Sequence, residues 1–218
     1  MTKIFLDLDG VILDPSERLY QVYVTLIARL KGQILPKDEY WEMKRKKASI
    51  EEILCRSSLD PGLTKSYANQ KRELIESIPF LKYDKIIPGT IPSLKHLATK
   101  YQLILVTLRG SRPALDWELE YMDIRRYFGG VLSGNNINMR TDSKFKASLI
   151  KDKFEVLDPS DIIVGDTETD ILAGQELGIR TVAVLTGMRT EEVLQEARPT
   201  FILKDLRQVT KALDEGVI

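Results

Sequence analysis

Asp7 and Asp9 stand two residues apart, directly after the apolar run Ile4-Phe5-Leu6 and before Gly10. The run reads as a short buried strand, and the glycine permits the tight turn that must follow it. Alternate side chains of a strand point to the same face, so a continued strand puts both carboxylates on one side. Such a pair repels itself, and a bound cation or a shared proton makes it tolerable. Three further stretches carry complementary groups. Thr107 closes the apolar segment Leu103 to Val106, Lys144 opens a helical segment, and Gly165-Asp166-Thr167-Glu168-Thr169-Asp170 follows Ile162 to Val164. Clustered carboxylates suit a hard cation such as Mg²⁺, which binds through one or two of them plus a substrate phosphate. A hydroxyl and an ammonium beside them suit the remaining phosphate oxygens. These are the parts of a phosphoryl-transfer site.

The elements that must position these groups are legible as alternating grammar. Short apolar strands are expected at Leu103 to Val106, Gly130 to Leu132, Ile162 to Val164, Thr181 to Leu185 and Phe201 to Leu203, with helices between them. Continuous apolar strands separated by helices imply a parallel sheet covered on both faces, and in such sheets ligands bind beyond the carboxyl ends of the strands. The expected fold is α/β, a Rossmann-like core made of residues 1–14 and 87–218. Residues 15–86 instead carry apolar positions at helical spacing, such as Leu19, Val22, Tyr23, Leu26, Ile27 and Leu30, and form an expected all-helical insertion. Gly32 is expected to end its first helix, Pro36-Lys37-Asp38 to start the second, and Asp60-Pro61-Gly62 to form a turn.

Composition narrows the function classes. The 218 residues are 43% hydrophobic and 29% charged, with 32 basic and 32 acidic side chains. A balanced charge provides no global field for nucleic acid or an acidic membrane, so any phosphate binding must be local. One cysteine excludes an intramolecular disulfide, and Met1-Thr2-Lys3 with its short apolar run lacks a secretory core, which together point to a cytoplasmic protein. Cys55 and His96 both read as helix packing residues. With one of each, zinc sites and Ser-His or Cys-His hydrolytic sets have little support.

The order of these parts resembles the haloacid dehalogenase-like superfamily, in its phosphoglycolate phosphatase-like branch with a helical cap inserted after the first strand. Asp7-Leu8-Asp9-Gly10-Val11 matches the first motif, the strand ending in Thr107 the second, Lys144 the third, and Gly165 to Asp170 the fourth. Ile171 to Leu194 also looks like that branch. The resemblance implies that Asp7 is the nucleophile of an aspartyl-phosphate mechanism and Asp9 the acid and base. It implies Mg²⁺ held by Asp7, Asp166 and the Asp9 backbone carbonyl, with Asp170 as ligand or close neighbour. Thr107 and Lys144 would stabilise the transferring phosphoryl group. Arg109, in the loop after Thr107, is read either as solvated or as reaching an anionic substrate. Lys146 competes with Lys144, which is preferred because Asp142 or Ser143 can cap the helix and place it in the first turn. The second carboxylate, Asp9, disfavours dehalogenation.

In the insertion, Lys44-Arg45-Lys46-Lys47 resembles the substrate-specificity loop of family caps, so Lys44, Arg45 and Lys47 are candidate substrate contacts. Tyr40 and Trp41 fit either the same cleft or helix packing. The expected partner is a small phosphorylated metabolite, with neither nucleic acid nor membrane, in a monomer or homodimer. A beta-phosphoglucomutase-like phosphomutase and a non-catalytic phosphometabolite-binding protein are the alternatives.

Overall fold

The computed structural model describes residues 1–134 and 142–218. Two compact units divide the chain, Met1–Asp14 with Ile86–Ile218, and Pro15–Lys85.

The first unit begins with β1 (Lys3–Leu6), whose last three residues are fully buried. β2 (Leu13–Asp14) follows the turn at Gly10, and β3 (Lys85–Ile86) pairs with it in a separate two-stranded sheet. The main sheet adds β4 (Gln102–Thr107), β5 (Gly130–Ser133), β6 (Ile162–Gly165), β7 (Arg180–Val184) and β8 (Phe201–Leu203). Its order is β5-β4-β1-β6-β7-β8, with every pair parallel. The chain therefore builds outward from β1 on one side, then returns to build outward on the other. β1 with its two neighbours marks the point of reversal, where open α/β sheets form their ligand crevice.

Burial on both faces explains the uninterrupted apolar strands. Ile4, Leu6, Leu103, Leu105 and Val164 pack on one face, against helices that supply Leu94, Leu115 and Val209. Phe5, Ile104, Val106 and Ile163 pack on the other, with Ala147, Ile150 and Ala173. β5 and β8 stand at the two edges and are only half-buried.

In the second unit, α1 (Ser16–Arg29), α2 (Lys37–Arg45), α3 (Ile50–Arg56), α4 (Thr64–Ile75) and α5 (Ile78–Leu81) account for nearly all regular structure. The buried Tyr23 ring stacks on Tyr40 with centroids 4.4 Å apart, which assigns Tyr40 to packing within this unit. Arg18 donates to Asp84 at 2.9 Å, tying the start of the unit to its end through a buried ion pair. The end of α1 differs from expectation. Lys31, not Gly32, takes the left-handed position at φ 59°, and Gly32 N–H reaches back to the Ile27 carbonyl at 2.9 Å. This bond is the six-to-one closure of a helix terminus, and Gly32 is needed because a Cβ would press on Leu59 and the Ser57 carbonyl at 2.7–2.8 Å. Cys55 is exposed rather than packed, because Ile53 and Leu54 carry the buried side of α3. His96 is likewise exposed, bonding to Asp214 at 3.0 Å.

The first unit is completed by α6 (Thr90–Leu97), α7 (Arg112–Tyr121), α8 (Ser143–Lys151), α9 (Glu168–Leu177), α10 (Glu191–Glu196) and α11 (Leu206–Asp214). Among the described residues, no helix is long and apolar enough to cross a membrane.

Candidate active site

A cavity of about 330 Å³ opens at the carboxyl ends of β1, β4 and β6, lined by Asp7, Asp9, Thr107, Arg109, Lys146 and Asp166 among others. Asp7 extends the ladder by one residue, its N–H donating to the Val164 carbonyl at 3.0 Å. The chain then turns through Gly10 at φ 77°, whose N–H donates to the Leu13 carbonyl at 2.7 Å. The two carboxylates meet different partners. Asp7 joins Asp166 and Asp170, with one ligand oxygen from each lying within 4.8 Å of the others. Asp9 instead faces Arg109, which grips it through two bonds of 2.8 Å.

Local structure fixes the other two carboxylates. Asp166 directly follows β6, and its Oδ2 accepts from the Met188 N–H at 2.6 Å. Asp170 sits in the first turn of α9 and closes a capping box with Thr167, accepting from its N–H at 3.1 Å and its hydroxyl at 2.8 Å. Its other oxygen meets the Lys146 ammonium. That ammonium also donates to Asp7 Oδ1 at 2.6 Å, bridging two members of the cluster. Thr107, at the end of β4, is buried, and its Oγ1 accepts from the Arg109 N–H at 3.3 Å.

Lys146, not Lys144, is thus the ammonium at the carboxylates. Asp142 does cap α8, accepting from the Phe145 N–H at 2.8 Å, but first-turn position does not decide which way a side chain faces. Lys146, Ala147 and Ile150 form the buried stripe of α8. Two residues turn a helix by about 200°, so Lys144 lies on the opposite, exposed side.

The electrostatics describe an overloaded site. Burial, together with Asp170 and Asp9 nearby, outweighs Lys146 and pushes the Asp7 carboxyl up to about 7. Burial and the neighbouring Asp7 and Asp170 push Asp166 well above the usual carboxylate range. Burial pulls Lys146 down, but Asp170 and Asp7 reverse this and hold it above the usual lysine value. Fully ionised, three carboxylates against one ammonium leave an excess that one divalent cation would neutralise.

The surroundings of Asp166 are shaped to match. A Cβ at Gly10 or Gly187 would run into its carboxylate, so both glycines hold backbone against this oxygen. The donor set is all oxygen, buried and anionic, which fits a hard cation and disfavours a soft one.

Two further charged pairs border the site. Arg189 pairs with the half-buried Glu168 at 2.8 Å beside the cavity, and the carboxylate cluster is Asp7, Asp166 and Asp170. Glu118 lies on the buried face of α7, 3.3 Å from Arg109. Its sequence signal is a charge within the apolar stripe of Leu115 and Leu119. Lys44, Arg45 and Lys47 belong to the second unit, in or just after α2, with Lys47 at φ 63°.

A parallel sheet with carboxylates, a threonine and a lysine gathered beyond its central strand defines a Rossmann-like α/β protein with a charged cavity at its strand ends. The chain belongs to the haloacid dehalogenase-like hydrolases, whose family model matches residues 4–184. It is 27% identical over 137 residues to phosphoglycolate phosphatase 1 of Pseudomonas aeruginosa, a match covering 61% of this chain and 48% of that relative. The chain thus spans about half the length of that relative. A phosphoglycolate phosphatase of Pseudomonas syringae is 22% identical across 94% of this chain and 77% of its own. In fold, a haloacid dehalogenase-like hydrolase of Streptococcus pneumoniae superposes with a TM-score of 0.77, at 22% identity over 98% of both chains.

Proposed function

We propose that this chain is a Mg²⁺-dependent phosphatase of a small phosphorylated metabolite, phosphoglycolate or a sugar phosphate being the substrates that fit the resemblance. The observation that carries the reading is the buried cluster of Asp7, Asp166 and Asp170, bridged by Lys146, in the same unit as the Asp9 and Thr107 of the cavity wall.

Asp7 is the nucleophile. Its carboxylate oxygen bonds to phosphorus while the bond to the leaving oxygen breaks, which divides one hard displacement into two easier ones. Asp9, protonated for the first step, gives that proton to the leaving oxygen and then, as the carboxylate, takes one from the water that attacks the aspartyl-phosphate and frees Asp7. Lys146 and Thr107 hold phosphoryl oxygens as charge shifts among them. The side chains of Asp7 and Asp166 and the Asp9 backbone carbonyl would hold the cation, with Asp170 as ligand or support. Bound there, Mg²⁺ supplies positive charge to the phosphoryl oxygens and relieves repulsion among the carboxylates. The test is phosphate release from a panel of metabolite phosphates. Turnover that requires Mg²⁺ and ceases with chelator supports the proposal, and no release from any ester sinks it.

The raised carboxyls predict a metal-linked pH dependence. A carboxyl whose pKa rises on folding binds more protons in the folded state, so stability falls as pH climbs from the unfolded value toward the folded one. For Asp7 that interval runs from 3.8 to about 7. Glu17, lowered by its bond from Lys37, and Asp214, lowered by Lys100 and His96, act oppositely, but their stabilisation is lost only in acid. Between about pH 5 and about pH 7 the raised Asp7 carboxyl therefore dominates. Thermal melts in chelator should show a midpoint that falls across this interval. Mg²⁺ should raise the midpoint more at the upper pH, because its ligands must be deprotonated.

Lys44, Arg45 and Lys47 are proposed contacts for a second anionic group on the substrate. Neutralising them together with Lys46 should raise KM roughly tenfold, worth about 1.4 kcal/mol, with a smaller change in kcat. Steady-state kinetics on the best ester of the panel decides this, and an unaltered KM removes these residues from the site.

A further inference from the structure

Glu118 is fully shielded from solvent on the same face of α7 as Leu115 and Leu119. A carboxylate in an apolar stripe is costly unless a cation meets it, and removing that cation costs several kcal/mol. Arg109 meets it, with Nη2 lying 3.3 Å from Glu118 Oε2. The same guanidinium also holds Asp9, Nε to Oδ2 and Nη2 to Oδ1, both at 2.8 Å, so Nη2 lies between the two carboxylates. Arg109 is itself only 6% exposed. Carboxylate, guanidinium and carboxylate thus form one chain from the wall of the core to the cavity. A two-point grip by a planar fork fixes the plane of the carboxylate it holds, which a single ammonium could not do.

Glu118 supplies what Asp9 alone lacks. An incoming phosphate ester competes for the guanidinium with up to two negative charges. A second, buried carboxylate behind Arg109 holds the fork back, so that it continues to orient Asp9. We propose that Glu118 is a positioning residue: acting through Arg109, it fixes the orientation of the Asp9 carboxylate in the cavity and thereby the rate of proton delivery to the leaving oxygen. The kinetic consequence rests on the phosphatase reading, whereas the geometric one does not.

The test compares two esters in Glu118→Gln, which keeps the shape and removes the charge. An alkyl phosphate needs its leaving oxygen protonated, while p-nitrophenyl phosphate leaves readily as an anion. For the alkyl ester kcat should fall about tenfold or more, with KM changed less than about twofold. The aryl ester should be at least about fivefold less affected, because its departure depends less on proton donation. A purely structural role for Glu118 lowers both esters alike, and that outcome overturns the proposal. Glu118→Leu, matched to the apolar stripe, provides the same comparison if the glutamine variant does not fold. A second readout needs no turnover: exchange of the Arg109 Nε proton, followed by NMR of ¹⁵N-arginine-labelled protein, should quicken about tenfold or more in either variant. Unchanged exchange also overturns the proposal. A native chain that releases no phosphate from either ester refutes the phosphatase reading instead, and the exchange measurement then decides the relay alone.

Discussion

Asp7→Asn will fold, keep its melting midpoint or raise it in chelator, and lose phosphate release by about four orders of magnitude or more. The kinetic loss follows from the chemistry: an amide oxygen is a poor nucleophile toward phosphorus, and removal of a covalent nucleophile elsewhere costs about a millionfold. The stability expectation follows from the electrostatics. Asp7 is one of three buried carboxylates sharing a single ammonium, and burial already holds its carboxyl up to about 7. Neutralising it relieves repulsion with Asp166 and Asp170 while leaving Lys146 its contact with Asp170. Phosphate release and thermal melts on the same preparation separate the two effects. A variant that retains more than about a hundredth of native turnover would exclude Asp7 as the nucleophile.

Lys146→Met carries the second large effect, on stability and rate together. Its ammonium is buried and bridges Asp7 and Asp170, so its loss leaves the cluster without a protein cation. Breaking a buried ion pair from one side costs about 3–5 kcal/mol, because the remaining charge stays buried. In chelator near pH 8 the denaturant midpoint should fall accordingly. The deficit should shrink toward pH 5 as Asp7 takes up a proton. Turnover should fall about a hundredfold or more, since in the proposed mechanism Lys146 also faces the charge that shifts during phosphoryl transfer. Lys144→Met is the control. It lies on the exposed side of α8, where substitutions usually change stability by less than about 0.5 kcal/mol. Equal behaviour of the two variants would overturn the assignment of Lys146.

The difference between these lysines shows where sequence reasoning runs out. The α/β alternation, the parallel sheet and the five strands after the first were legible because burial on both faces requires uninterrupted apolar runs such as Leu103 to Val106. The strands match expectation within one or two residues at each end. Asp7, Thr107 and Asp166 were legible as candidates because each directly follows such a run, and a parallel sheet presents its strand ends together.

Helical and loop residues carry no such constraint. Lys144 and Lys146 are both near a capped helix start, and only the packing of Ala147 and Ile150 against the sheet decides which of them turns inward. Asp9 and Arg109 are 100 positions apart in the chain, and neither composition nor period announces their pairing. Glu118 was visible only as an odd charge between Leu115 and Leu119. The sequence determines locally which backbone is buried, because periodicity and hydrophobicity are properties of neighbours along the chain. Which buried charges meet is decided by tertiary structure, because the free energy of an ion pair depends on distance and desolvation that arise only when separate segments pack.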